Sequence, residues 1–214
     1  MMPTTHRLVL PLLLTPFLLG ACGAQRLTAA PAAVRPLQAT AVARALAAAD
    51  ATSPLEKPCT ARVVLNYGNA VAKMLDGKAA FTSLTGTRVG VQGAPLSGGS
   101  WVLTYVGTEA SGKAPGNPYQ TLHKRITITV PPDAKPKVGV QDAEGLPLGM
   151  CYYDAPMPEI DSHLAIDKAR EMRPSEPTQG GYRLVLQGLM NAQHFQELVW
   201  KVGRATQGAE RPLT

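Results

Sequence analysis

No apolar run in the chain is long enough to cross a bilayer. The longest, Leu8 to Leu19, is interrupted by Thr15 and carries Pro11 and Pro16. As a helix it would reach about 18 Å, against roughly 30 Å of hydrocarbon. Cysteine occurs three times, at Cys22, Cys59 and Cys151, too sparsely for a small disulfide-stapled scaffold. Aromatic residues make up 5% of the chain, and the basic residues are scattered, with the densest groups at Lys124-Arg125, Lys135 with Lys137, and Lys168-Arg170-Arg173. A nucleic-acid surface needs a concentrated basic stripe with stacking rings, so that partner is excluded.

Catalytic and metal-binding patterns are missing too. Ser97 has Pro95 where a Gly-x-Ser-x-Gly nucleophile turn needs its first glycine, and a simple turn explains it better. No glycine loop with a following lysine is present to cradle phosphate. His123, His163 and His194 show neither the i, i+4 nor the His-x-Glu spacing of zinc sites. His163 and Asp167 can share a helical face, but two ligands without a third make a poor site, and an exposed contact is expected there. The acidic pairs Asp142 with Glu144 and Glu159 with Asp161 lie beside turns and line up too few oxygens for a cation. The expectation is no catalytic residue, no metal and no cofactor.

What is present begins with an address. Arg7 beside His6, the apolar run and the small residues Gly20 and Ala21 form a secretory signal over residues 1–21. The junction Leu19-Gly20-Ala21-Cys22 resembles the lipobox of bacterial lipoproteins. The resemblance implies a diacylglycerol thioether on Cys22, cleavage before it, and a further acyl chain such as palmitate on the new amine. Two or more chains hold a protein on a membrane where one does not. Gly23 stands where an inner-membrane retention signal would have aspartate, which favours an outer or outward-facing surface of the envelope. Loss of the signal removes Arg7 and lowers the net charge from +6 to +5. With Cys22 assigned to lipid, Cys59 and Cys151 remain, and an oxidising compartment favours a disulfide between them. Such a bridge would contribute about 4–5 kcal/mol by constraining the unfolded chain. Cys151 as a nucleophile, with His163 or His194 as base, is the alternative.

Residues 22–36 are rich in alanine and proline and read as a tether. Leu37 to Asp50 is made of helix formers, with Val42, Leu46 and Ala49 on one face. Strand-like runs follow at Thr60–Tyr67, Ala70–Leu75, Ala79–Leu84 and Arg88–Gln92, punctuated by Gly68-Asn69, Asp76-Gly77 and Thr85-Gly86. Trp101 to Val106 alternates, with Trp101, Leu103 and Tyr105 on one face. A polar loop over Thr108–Gln120 precedes Ile126–Val130, whose aliphatic residues and threonines point opposite ways. Val138–Gln141 and Met150–Tyr153 are shorter candidates. Asp161 to Met172 reads as a helix capped by Asp161 or Ser162, with Leu164, Ala165, Ala169 and Met172 inward. Strands at Tyr182–Gln187 and Leu198–Val202 follow, and the tail is residues 204–214. The fold class expected is α+β: an antiparallel meander with two packed helices. The expected division is a helix plus β-rich domain over residues 37–158 and a C-terminal helix and strand pair over 159–203. Helix-then-sheet order occurs at Leu37 and again at Asp161, and reads as two diverged units.

The second unit resembles PepSY-type exported domains. Its helix carries Ala165, Ile166, Ala169 and Arg170, followed by Tyr182-x-Leu184-x-Leu186 and Val199-Trp200-x-Val202. Trp101-x-Leu103-x-Tyr105 and Val138-x-Val140-x-Asp142-Ala143-Glu144-Gly145 echo it in the middle of the chain. The last run is one residue short of the family's ending and lacks its threonine, and no such ending follows Val202. The resemblance implies a non-enzymatic binding or peptidase-inhibiting module, with no catalytic residue to carry over. The expected partners are the membrane, through the lipid, and an envelope protein or anionic polymer. An exported hydrolase using His163, His194 or Ser97 is the alternative.

Overall fold

The computed structural model describes residues 36–114, 116–144, 157–172, 180–190 and 196–204. The signal, Cys22, Cys151 with its strand candidate, His194 and residues 205–214 lie outside them. Three helices are described, α1 (Pro36–Thr52), α2 (Ala61–Leu75) and α3 (Ser162–Met172). The strands are β1 (Ala79–Val89), β2 (Pro95–Ala114), β3 (Asn117–Val130), β4 (Lys137–Glu144), β5 (Tyr182–Met190) and β6 (Gln196–Arg204). They form one sheet in the order β4-β3-β2-β1-β5-β6, with every neighbouring pair antiparallel. The α+β class expected from the sequence is the class observed, with three described helices where two were expected.

The additional helix is α2, which replaces two expected strands. Thr60–Tyr67 is β-branched-rich, but the residues α2 buries are Ala61, Val64, Leu65, Tyr67, Gly68, Val71 and Ala72, which recur at helical spacings of three and four. Tertiary packing overrides the local β preference. Asp76-Gly77 is therefore the exit from a helix rather than a hairpin turn. Thr85-Gly86 lies inside β1, where Gly86 pairs with Trp101. A Cβ on Gly86 would overlap the Trp101 ring, so the glycine makes room for an indole rather than turning the chain. The expected loop at Thr108–Gln120 consists largely of the arms of the β2–β3 hairpin.

The core lies between the helices and one sheet face. Phe81, Leu84, Trp101, Leu103, Tyr105, Ile126, Ile128, Leu184 and Leu186 are buried there beneath Val64, Leu65, Val71 and Ile166. α1 packs on α2 through Ala45 and Ala49, both fully buried. α3 turns Ala165 and Ile166 inward, while Leu164 and Met172, expected inward, are 44% and 77% exposed. Its inner face is thus rotated from the expected one, because Asp161 and Ser162 are both buried at its start.

α2 approaches the sheet so closely that a Cβ on Gly68 would sit 2.5 Å from Leu103 Cδ2 and 2.8 Å from Tyr105 Oη. Helix propensity favours alanine over glycine by about 1 kcal/mol, but overpacking costs about 1–3 kcal/mol. Gly68→Ala is therefore expected to lower the urea midpoint. A raised midpoint would show that α2 lifts off the sheet without cost.

Four adjacent strands, β2-β1-β5-β6, repeat a pattern. In β1 and β2, Leu84 pairs with Leu103 and Gly86 with Trp101. In β5 and β6, Leu184 pairs with Val202 and Leu186 with Trp200. The halves join antiparallel, Leu84 to Leu186 and Gly86 to Leu184, as a two-fold relation between them requires. Each tryptophan then donates its indole N–H to a carbonyl just before a helix. Trp101 reaches Cys59, 42 residues upstream, at 2.8 Å. Trp200 reaches Ile160, 40 residues upstream, at 3.1 Å. The buried residues Ala61, Val64 and Leu65 of α2 match Ser162, Ala165 and Ile166 of α3. The helix-then-sheet duplication is real at the level of topology, but its first helix is α2, not the helix at Leu37.

Candidate functional site

Two places gather polar groups, and they differ in kind. The first is buried where the starts of α2 and α3 meet. Asp161 Oδ2 accepts from the Thr60 hydroxyl at 2.7 Å, and Oδ1 accepts from the backbone N–H of Arg62 at 3.0 Å and of Ser162 at 2.6 Å. Ser162 Oγ accepts from the Ala61 N–H at 3.0 Å and donates to the Gly93 carbonyl at 2.7 Å. Thr60, the residue before α2, makes no cap hydrogen bond with its own side chain. Asp161 and Ser162 supply that cap from the other half of the chain, satisfying donors a helix start leaves open. Burial pushes the Asp161 carboxyl up, but the hydrogen bonds from Thr60, Ser162 and Arg62 outweigh it and hold it below the usual carboxylate value. Every oxygen has a partner, so the junction is a brace between the two helices.

The candidate residues named from the sequence are dispersed. Cys59 carries a free, half-buried thiol, pushed up by burial against the opposing charge of Lys57. Its expected partner Cys151 lies outside the described residues, as does Cys22. His123 is buried, with Nδ1 3.0 Å from the Gly107 carbonyl oxygen. His163 lies in the first turn of α3, and Asp167, expected to contact it, pairs instead with Arg170 at 3.7 Å. Ser97 is exposed at the start of β2, beside Gly98 with its φ of 74°. Among the described residues no cluster of three or more histidines, cysteines or acids is placed to hold a metal.

The second polar region is the sheet face away from the described helices. One row of side-chain positions crosses all six strands as Val199–Gln187–Ser83–Thr104–Thr127–Gly139. The next runs Lys201–Val185–Thr85–Val102–Thr129–Lys137. At strand spacings of 4.7–4.9 Å each row is about 24 Å long. Its central positions are half-buried, while Lys137, Gly139 and Lys201 are exposed. Arg125 and Arg183 flank the rows on the same face, and Glu197 stands at the far end of β6. The result is a platform that carries Ser83, Thr85, Thr104, Thr127 and Thr129 in its inner positions and a lysine at each end of the second row. Hydroxyls both donate and accept, so the surface can meet sugars or backbone amides, and its charge favours anions.

No family model, curated protein or solved structure matches the chain. Function is therefore argued from this surface. The alternation at Ile126–Val130 announces the threonine face in the sequence. The rows could not be read there, because they depend on β1 pairing with β5 across an intervening helix.

Proposed function

We propose that the chain is a lipid-anchored protein of the cell envelope that works by binding rather than catalysis, and that the open sheet face takes an anionic envelope polymer. The observation that carries this is the pair of six-position rows, with Ser83, Thr85, Thr104, Thr127 and Thr129 among their inner positions and Lys137 and Lys201 at the ends of one of them. The helix–strand–strand duplication supports the PepSY-type module, for which binding or peptidase inhibition is the implied role. The anchor is proposed on the Leu19-Gly20-Ala21-Cys22 junction that follows the apolar run Leu8 to Leu19; among the described residues no helix is long and apolar enough to cross a membrane.

Two experiments test the two halves of this proposal. Cys22→Ala is expected to leave an unprocessed precursor or to release the protein from membranes, and metabolic palmitate should label the wild type only. Absence of label on the wild type overturns the anchor. For the surface, the full chain is expected to co-sediment with purified cell-wall polymer at low salt and to be released as salt rises. Arg125→Glu with Lys137→Glu should weaken that binding at least tenfold, since two attractions become repulsions on one face. Equal binding by wild type and variant overturns the assignment of the face.

A further inference from the structure

We propose that the outer edge of β6 pairs antiparallel with β6 of a second copy of this chain, centred on Val199, and so joins two six-stranded sheets into one.

The internal two-fold shows what such an edge takes. On β2, the counterpart of β6, the outer edge is covered by β3: Val130 lies opposite Trp101, Ile128 opposite Leu103 and Ile126 opposite Tyr105. Under that cover Trp101 is 0% exposed. On β6 no strand lies beyond the equivalent edge among the described residues, and the equivalent Trp200 is only partly buried, as is Leu198 beside it. The same indole position is fully covered in one half and partly exposed in the other, and among the described residues the first half has a strand, β3, at the edge where the second has none.

The sequence of β6 favours its own copy as that strand. An antiparallel pair centred on Val199 sets Leu198 against Trp200 and Glu197 against Lys201, and each of these pairs occurs twice by symmetry. The apolar pair falls on the core face and Lys201 on the open face, as the pleat requires. Two devices that block edge pairing are missing, since β6 has no proline and pairs with β5 through nine consecutive positions without a register shift, and the proposed register sets its Lys201 opposite Glu197 rather than leaving it to repel. This dimer does not depend on what the open face binds.

Cross-linking in intact cells expressing the full chain tests it. In the proposed register the two Val199 α-carbons lie about 4.5–5.5 Å apart, within disulfide reach. Val199→Cys should therefore give a disulfide-linked dimer on oxidation. Lys201→Cys, with its symmetry mate displaced by four residues, should not. Adding Lys201→Glu to the Val199→Cys chain places like charges opposite each other twice and should cut the cross-linked fraction about tenfold. Adding Glu197→Lys as well exchanges the charges and should restore it. Equal cellular abundance of the charge variants shows that folding is not the cause. Failure of Val199→Cys to cross-link, cross-linking at Lys201→Cys instead, or indifference to the charge reversal each overturns the proposal.

Discussion

Trp101→Ala is expected to destabilise the fold by about 3–5 kcal/mol, the range for emptying a fully buried aromatic site. The ring lies over Gly86, which has no side chain to fill the void, and its N–H holds the Cys59 carbonyl at 2.8 Å just ahead of α2. Losing the indole thus opens a cavity and leaves the entry to α2 unbraced. A domain of this size has about 5–15 kcal/mol in total, so the variant should unfold at a markedly lower urea concentration. Trp200→Ala offers the internal comparison. Its indole makes the equivalent bond, to Ile160 at 3.1 Å, but it is only partly buried, so less apolar area is at stake. Its loss should be clearly smaller in dilute solution, where an edge-paired dimer dissociates. Urea melts of the two variants under one condition decide the order, and equal losses would show that the neighbouring strand β3 contributes little to the Trp101 site.

The sequence was legible wherever period two met large apolar residues. Trp101, Leu103 and Tyr105, and Ile126, Ile128 and Val130, fall on one face as their spacing predicts. It was misleading wherever a distant residue decides a local conformation. Thr60–Tyr67 carries valines that favour a strand, yet the segment is helical, with its buried face packed on the sheet and its start capped by Asp161 and Ser162, 99 to 101 residues away. Gly86 has the composition of a turn and the role of a hole for Trp101. Leu164 and Met172 carry apolar bulk at helical spacing, yet both are exposed. The open face was half-legible: alternation marks its threonines, whereas only the register across six strands puts lysines at both ends of one row.

The duplication gives these exceptions a common cause. Each half presents a helix start beside a tryptophan carbonyl bond, and the two starts meet at Asp161. A helix start exposes unpaired N–H groups and the positive end of the helix dipole, so two of them together need a buried anion or water. Asp161 is that anion, and Thr60 at the matching position of the first half is its donor. Divergence between the halves has thus produced a complementary pair, a hydroxyl facing a carboxylate. A strict repeat would have set like against like.

Asp161→Ala should therefore rank with Trp101→Ala, at about 3–5 kcal/mol. It strips the partner from the Thr60 hydroxyl and from the Arg62 and Ser162 N–H groups at once, and buried donors left unpaired cost about 1–3 kcal/mol each where water cannot enter. Asp161→Asn separates charge from shape. The amide keeps one acceptor oxygen but turns its NH2 toward groups that donate, so it should recover only part of the loss. The acid limb supplies the decisive readout. The folded-state pKa of Asp161 lies below its ordinary value, so its contribution is present in full above the unfolded value, near 3.9. That contribution is lost as pH falls through the lower, folded value, because protonation then costs the native state more than the unfolded one. The stability gap between wild type and Asp161→Asn should accordingly be constant from neutral pH to about pH 5 and narrow below about pH 4. Chemical denaturation of both proteins across that range measures it. A gap that stays constant through the acid limb would mean that the carboxylate charge plays no part in joining α2 to α3.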